Sequence, residues 1–224
     1  WSNLISDAND VRSDLGATIE NPFDRRRDRG RETYSVRHRL NGAVVYELPF
    51  GRGRRFLTKP PAALNEIAGG WTVSTLFYFE TGRYFTPGFT GRDISGIGAT
   101  GGRPDCIANG NLPPSERNIA RWFNPDAFAI PAANSGRFGN CGVNTLEGPG
   151  LNTQHFSITK RFNQRNERTN VEFQLNMLNV FNHPNFNLPA ANISAPSTVA
   201  QVQSARPYLE NAGPRTMTAI LRIN

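Results

Sequence analysis

Residues 171–186 read VEFQLNMLNVFNHPNF, and the fold turns on how that stretch is interpreted. Val171, Phe173, Leu175 and Met177 alternate with Glu172, Gln174 and Asn176. A period of two places the apolar set on one face of a strand and the polar set on the other, whereas a helix would scatter both. The run approaches the ~9 to 11 residues that a tilted strand needs to cross the hydrocarbon layer of a membrane. Asn182, His183 and Pro184 predict its end, because proline donates no ladder hydrogen bond and its neighbours favour a turn.

The same alternation recurs on either side. In residues 152–162, Gln154, Phe156, Ile158 and Phe162 oppose Thr153, His155, Ser157, Thr159 and Arg161. The polar NQRNER at 163–168 joins this run to the next, so residues 152–182 predict an antiparallel hairpin. Further upstream, the strand at 34–50 places Leu40, Gly42, Val44, Tyr46 and Leu48 on one face. The run from Trp71 does the same with Val73, Thr75, Phe77 and Phe79, and the chain closes on Met217, Ala219, Leu221 and Ile223. About five strands are therefore expected. A soluble β-sandwich would carry the same pattern if a second sheet covered the apolar face.

Composition narrows the choice. Only 38% of 224 residues are hydrophobic, with 21 Gly and 16 Pro, which is lean for a globular core. One short helix is predicted, near 62–68. No run of eighteen apolar residues occurs, so no transmembrane helix is expected; barrel strands, apolar on one face, give no such signal. The fold class is then all-β: antiparallel strands of a transmembrane β-barrel, present as an incomplete fragment with long extracellular loops. The first loop is 83–150, rich in Gly, Pro, Asn and Arg, and the second is 183–214. If the turn at 163–168 is periplasmic, both loops lie outside and the connector at 49–70 lies inside. Starting on Trp1 with no leader sequence, the chain reads as a piece of a longer polypeptide.

The net charge of +7 is almost entirely an arginine excess. It is read either as a solvated basic surface or as attraction for anionic lipid head groups or an anionic ligand. In residues 21–32, NPFDRRRDRGRE, dense mixed charge predicts an exposed loop. Acidic residues interrupt that run and no aromatic platform accompanies it, so no nucleic-acid partner is expected. Cys106 and Cys141, both in loop sequence, could form one disulfide, which would imply an oxidising compartment. The bridge would close a loop of about 35 residues.

No catalytic or phosphate-binding motif is found, and three dispersed histidines offer no metal site. The expectation is no enzyme, no cofactor and no metal. Ligand-facing candidates are Arg83, Arg92, Arg103 and Trp122 in the first loop, and Glu172, Gln174 and Asn176 on the polar strand face. For Trp122 the alternatives are stacking on a sugar and packing that pins the loop. For the three strand residues they are ligand contact and a plain water-facing wall.

Several segments together resemble the C-terminal barrel portion of TonB-dependent outer-membrane receptors of the Oar-like group, which carry a carboxypeptidase-regulatory-like domain. They are DRRRDRGRETYSVRHRLNGAVVYELPFGRGRRF (24–56), GGWTVSTLFYFETGRYFT (69–86), RWFNPDAFAIP (121–131), GRFGNCGVNTLEGPGLNTQHFSITKRF (136–162) and VEFQLNMLNVFNHPNFNLP (171–189). The resemblance implies a bacterial outer-membrane location and a large barrel of about twenty-two strands with a plug. It also implies uptake of a scarce small ligand, oligosaccharide or peptide, with energy from the TonB complex reaching parts of the receptor outside this chain. Outer-membrane lipid is the other implied partner. The ending Leu221-Arg222-Ile223-Asn224 departs from the terminal aromatic usual in such barrels. The alternative is a secreted or surface β-rich adhesion or carbohydrate-binding module.

Overall fold

The computed structural model describes residues 1–6, 20–21, 23–163, 170–207 and 212–223. Its long strands are β1 (Arg39–Glu47), β2 (Trp71–Glu80), β3 (Leu151–Asn163), β4 (Asn170–Leu178) and β5 (Thr216–Ile223). They form one five-stranded sheet in sequence order, β1-β2-β3-β4-β5, an open meander with β1 and β5 at its edges. β4 is antiparallel to both neighbours, with Leu175 opposite Ile158 and Ala219. At the other end of the sheet order, Leu48 N–H donates to Trp71 O and Thr81 N–H to His38 O, which brackets β1 and β2 as antiparallel.

Two of the strand boundaries come out shorter than the sequence predicts. β1 covers nine residues of 34–50, and β4 stops at Leu178 rather than running on to Asn182. The cause at β4 is Asn179, whose φ of 46° leaves the extended region; asparagine tolerates this better than other non-glycine residues. The turn at 164–169 lies outside the described residues. The predicted helix is present as α1 (Ala62–Ala68), within the 48–70 connection.

Register carries the alternation across β3, β4 and β5. One face stacks Phe162, Val171 and Ile223 in one row, Lys160, Phe173 and Leu221 in the next, then Ile158, Leu175 and Ala219, then Phe156, Met177 and Met217. The opposite face stacks Arg161, Glu172 and Arg222, then Thr159, Gln174 and Ile220, then Ser157, Asn176 and Thr218. A sandwich would cover the apolar face with a second sheet. Here the remaining sheets among the described residues are two-residue pairs, and of the buried apolar residues only Leu151 belongs to a long strand. The sheet buries no core of its own.

The chain divides into two compact units. The sheet unit comprises Leu40–Phe79, Asn152–Asn185 and Arg206–Asn224; the loop unit comprises Trp1–Arg39, Glu80–Leu151 and Phe186–Ala205. The loop unit holds the hydrophobic cluster: Phe85, Phe123, Phe128, Leu146, Ala127, Ala200 and Cys141. Phe123, 1% exposed, sits edge-on between Phe85 at 5.8 Å and Phe128 at 6.0 Å. Such tilted ring pairs match the positive edge of one ring to the negative face of another. The stretch 83–150 thus has little regular structure but a closely packed centre.

Close backbone approach explains two glycines. A Cβ at Gly82 would collide with the Gly148 carbonyl oxygen in the loop unit, and one at Gly70, with φ of 71°, with the Arg161 carbonyl oxygen in the sheet unit.

Candidate functional site

Three of the predicted ligand-facing residues, Glu172, Gln174 and Asn176, do share the polar face of β4, and all three are tied to their neighbours. Glu172 accepts from Arg161 Nε at 2.9 Å and is paired with Arg222 at 3.4 Å across the two adjoining strands. Gln174 Nε2 donates to Ser157 Oγ at 3.2 Å and to Asn176 Oδ1 at 2.9 Å. The result is a cross-strand polar ladder, half-buried and rich in donors and acceptors. It offers a hydrophilic wall with no isolated charge.

The other four lie in the loop unit, and the structure gives them different work. Arg103 is buried at 6% exposure. Its Nε and Nη2 donate to Glu20 Oε2 at 3.0 and 2.9 Å, its Nη1 donates to Arg27 O at 2.9 Å, and Asp28 Oδ1 lies 3.0 Å from Nη2. A guanidinium so fully engaged holds the loop together rather than meeting a ligand. One charge from the 21–32 segment is buried with it, Asp28 at 0% exposure, while the partly exposed Arg27 pairs with Glu20 and donates to Gly139 O. The expectation of an exposed loop holds for Asp24, Arg25, Arg26 and Arg29 and is corrected at Asp28. Mixed charge can be buried when opposite signs meet in hydrogen-bonded geometry.

Trp122 is half-buried; its indole N–H donates to Glu147 O at 2.9 Å, its backbone N–H to Ala200 O at 2.8 Å, and Arg117 lies over the ring at 6.0 Å. That is the packing alternative rather than an open stacking platform. Arg83 lies over the Tyr34 ring at 6.0 Å, and Arg92 is exposed, with Nη1 3.3 Å from Pro131 O.

Cys106 and Cys141 are joined in a disulfide, with Cα atoms 5.0 Å apart, and so neither is a thiolate nucleophile. Beside the bridge, Arg137 grips Asp105 with two bonds of 2.9 and 2.7 Å, and Asn140 N–H adds a third at 2.9 Å. The Arg137 guanidinium holds the Asp105 carboxyl below its usual range. Asp93 is also held low, because the backbone N–H groups of Gly98, Gly96 and Ser95 all donate to it. Both carboxylates organise loops; no group of three or more potential metal ligands occurs among the described residues.

Sequence reading missed a cluster of asparagines where β4 ends. Asn179, 2% exposed, receives His183 N–H at 3.0 Å, donates from Nδ2 to His183 O and Gly213 O at 2.9 Å each, and gives its own N–H to His155 Nδ1 at 3.1 Å. Asn185 accepts Asn152 N–H at 2.8 Å and donates to Thr153 Oγ1 at 2.9 Å. Asn182 accepts Arg215 N–H at 3.2 Å. Together they clasp the start and return of the second long connection. The signal available was three asparagines spaced by three in NVFNHPN.

Comparison with known proteins bears on the sheet as a whole. A family model described as an outer membrane beta barrel domain matches residues 1–217. No curated protein and no solved structure gives a match.

Proposed function

Because this chain belongs to the outer membrane beta barrel domain family, and so resides in the bacterial outer membrane, we propose that it supplies staves and ligand-binding loops to a TonB-dependent receptor of the Oar-like kind. The observation that carries this reading is the division of labour in the fold. Across β3, β4 and β5 the sheet presents an apolar face, broken at Lys160, and a polar ladder, while the long connections form a unit with its own core and disulfide. The apolar face meets lipid, which replaces the core a soluble sheet would need. The polar ladder lines the lumen, and the edges β1 and β5 pair with further staves, since hydrocarbon tolerates no open edge.

On this reading the long connections are extracellular, and their rigidity serves recognition: a preorganised loop loses less entropy on binding than a mobile one. The role is recognition and uptake of a scarce nutrient, with no catalytic step. Energy comes from the TonB complex acting on segments outside these residues.

The test is capture of the native protein, extracted from outer membranes in mild detergent, on immobilised periplasmic domain of TonB. Retention well above that of a porin in the same extract is expected. Retention equal to the porin, with the heat-modifiable gel mobility of a folded barrel intact, would leave the barrel standing and remove the energised-receptor reading.

A further inference from the structure

At the end of the sheet that carries the short connections, the 48–70 segment folds over the strand ends and leaves a cleft of about 950 Å³. Arg52, Arg54, Lys160 and Arg161 line it, against one carboxylate, Glu66. Two of these cations are already paired, Arg54 with Glu47 at 2.8 Å and Arg161 with Glu172 at 2.9 Å. Arg52 is anchored through its backbone N–H to Asn65 Oδ1 at 2.7 Å, and its guanidinium has no ion-pair partner among the described residues.

Lys160 is the anomaly in the set. By register it belongs to the apolar face, in the row of Phe173 and Leu221, yet it is a cation with 3% exposure. It donates to Gly69 O and lies 5.5 Å from the Trp71 ring and 5.1 Å from the Phe162 ring. A buried cation held by a carbonyl and two ring faces keeps a positive field at the base of the cleft. Apolar residues of the same face, Phe162 and Val171, line the cleft with Phe50. Tyr46, Trp71 and Phe162 fall at this end of their strands, where barrel aromatics mark the head-group level.

We propose that this cleft holds the phosphate-bearing head group of a membrane lipid whose acyl chains lie along the apolar face. Arg52 and Arg54 contact the phosphate oxygens, the planar guanidinium fork matching them, and Lys160 supplies charge from beneath. Apolar lining continuous with the lipid-facing surface favours a lipid over a free anion. The proposal requires the membrane location but not the receptor role, so failure of TonB capture does not touch it.

The native protein is washed free of lipid in detergent, offered phosphatidylglycerol or phosphatidylcholine in mixed micelles, and examined by native mass spectrometry. One retained phosphatidylglycerol and little retained phosphatidylcholine are expected. R52Q should bind the anionic lipid about fivefold more weakly and R52Q/R54Q more weakly still, at about the increment one surface arginine contributes. R121Q, which removes an exposed arginine of the loop unit, should change nothing. Heat-modifiable mobility confirms that each variant is folded. Undiminished retention in R52Q, equal retention of phosphatidylcholine, displacement by equimolar inorganic phosphate, or an equal loss in R121Q would each overturn the proposal.

Discussion

Replacing Arg103 with methionine should loosen the loop unit while leaving the barrel strands in place. The side chains of Arg103, Glu20 and Asp28 are 7%, 8% and 0% exposed, so water cannot rescue the carboxylates once the guanidinium is gone. Glu20 would keep Arg27 at 3.2 Å, but Asp28 has its ion pair with Arg103 at 3.0 Å. Breaking a buried pair from one side costs about 3–5 kcal/mol, because it strands an uncompensated charge. For local opening that corresponds to amide exchange accelerated by more than about a hundredfold in the segments Arg103 ties together. Hydrogen exchange on the native protein in detergent reads this directly: protection should fall around residues 20–31 and 101–106 and persist in β2, β3 and β4. The double variant R103M/D28N removes the stranded charge as well and should recover much of the loss. Exchange in R103M within about threefold of wild type, or a double variant as loose as the single, would refute the view that this buried charge cluster holds the loop.

Other outcomes follow from the same geometry. Removing the disulfide as C106S/C141S should cost the loop unit about 3–4 kcal/mol on the chain-entropy model, seen as faster proteolytic nicking within 83–150 at unchanged barrel mobility. Asp105 has a folded pKa held below its usual value by Arg137, so its contribution is present above the unfolded carboxylate pKa and fades as pH falls through the folded one. Protection around residues 137–141 should therefore drop in acid below about pH 4, and D105N should lack that local step while the loop held by Asp93 keeps its own. On β4, L175K places a charge on the lipid face and should cost about 2–4 kcal/mol of barrel stability in urea, whereas N176K on the polar face should be tolerated. Equal effects of the two would contradict the assignment of faces.

The sheet was legible because a strand states its two faces every second residue. Val171 to Met177, Phe156 to Phe162 and Met217 to Ile223 each show the alternation alone, and the register needed only to bring like faces together. Lys160 breaks that pattern, and local sequence gave no reason for it; its carbonyl partner, Gly69, lies ninety-one residues away. The candidate site was less legible. Arg92 and Arg103 look alike in sequence, both arginines in a glycine-rich stretch, yet one is exposed and the other buried. What separates them is Glu20, eighty-three residues upstream of Arg103.

The sequence by itself thus determined the all-β class, the positions of the five staves, the short helix at 62–68 and which strand face is apolar, since all of these rest on interactions within a few residues of chain. Only the tertiary structure decided that the irregular 83–150 stretch packs around Phe123 and Leu146 and that the carboxylates of Glu20 and Asp28 are buried against Arg103. Likewise it alone showed that β4 ends in a clasp of asparagines. Those outcomes depend on partners tens of residues distant, and no periodicity in a chain announces a contact whose two halves share no local pattern.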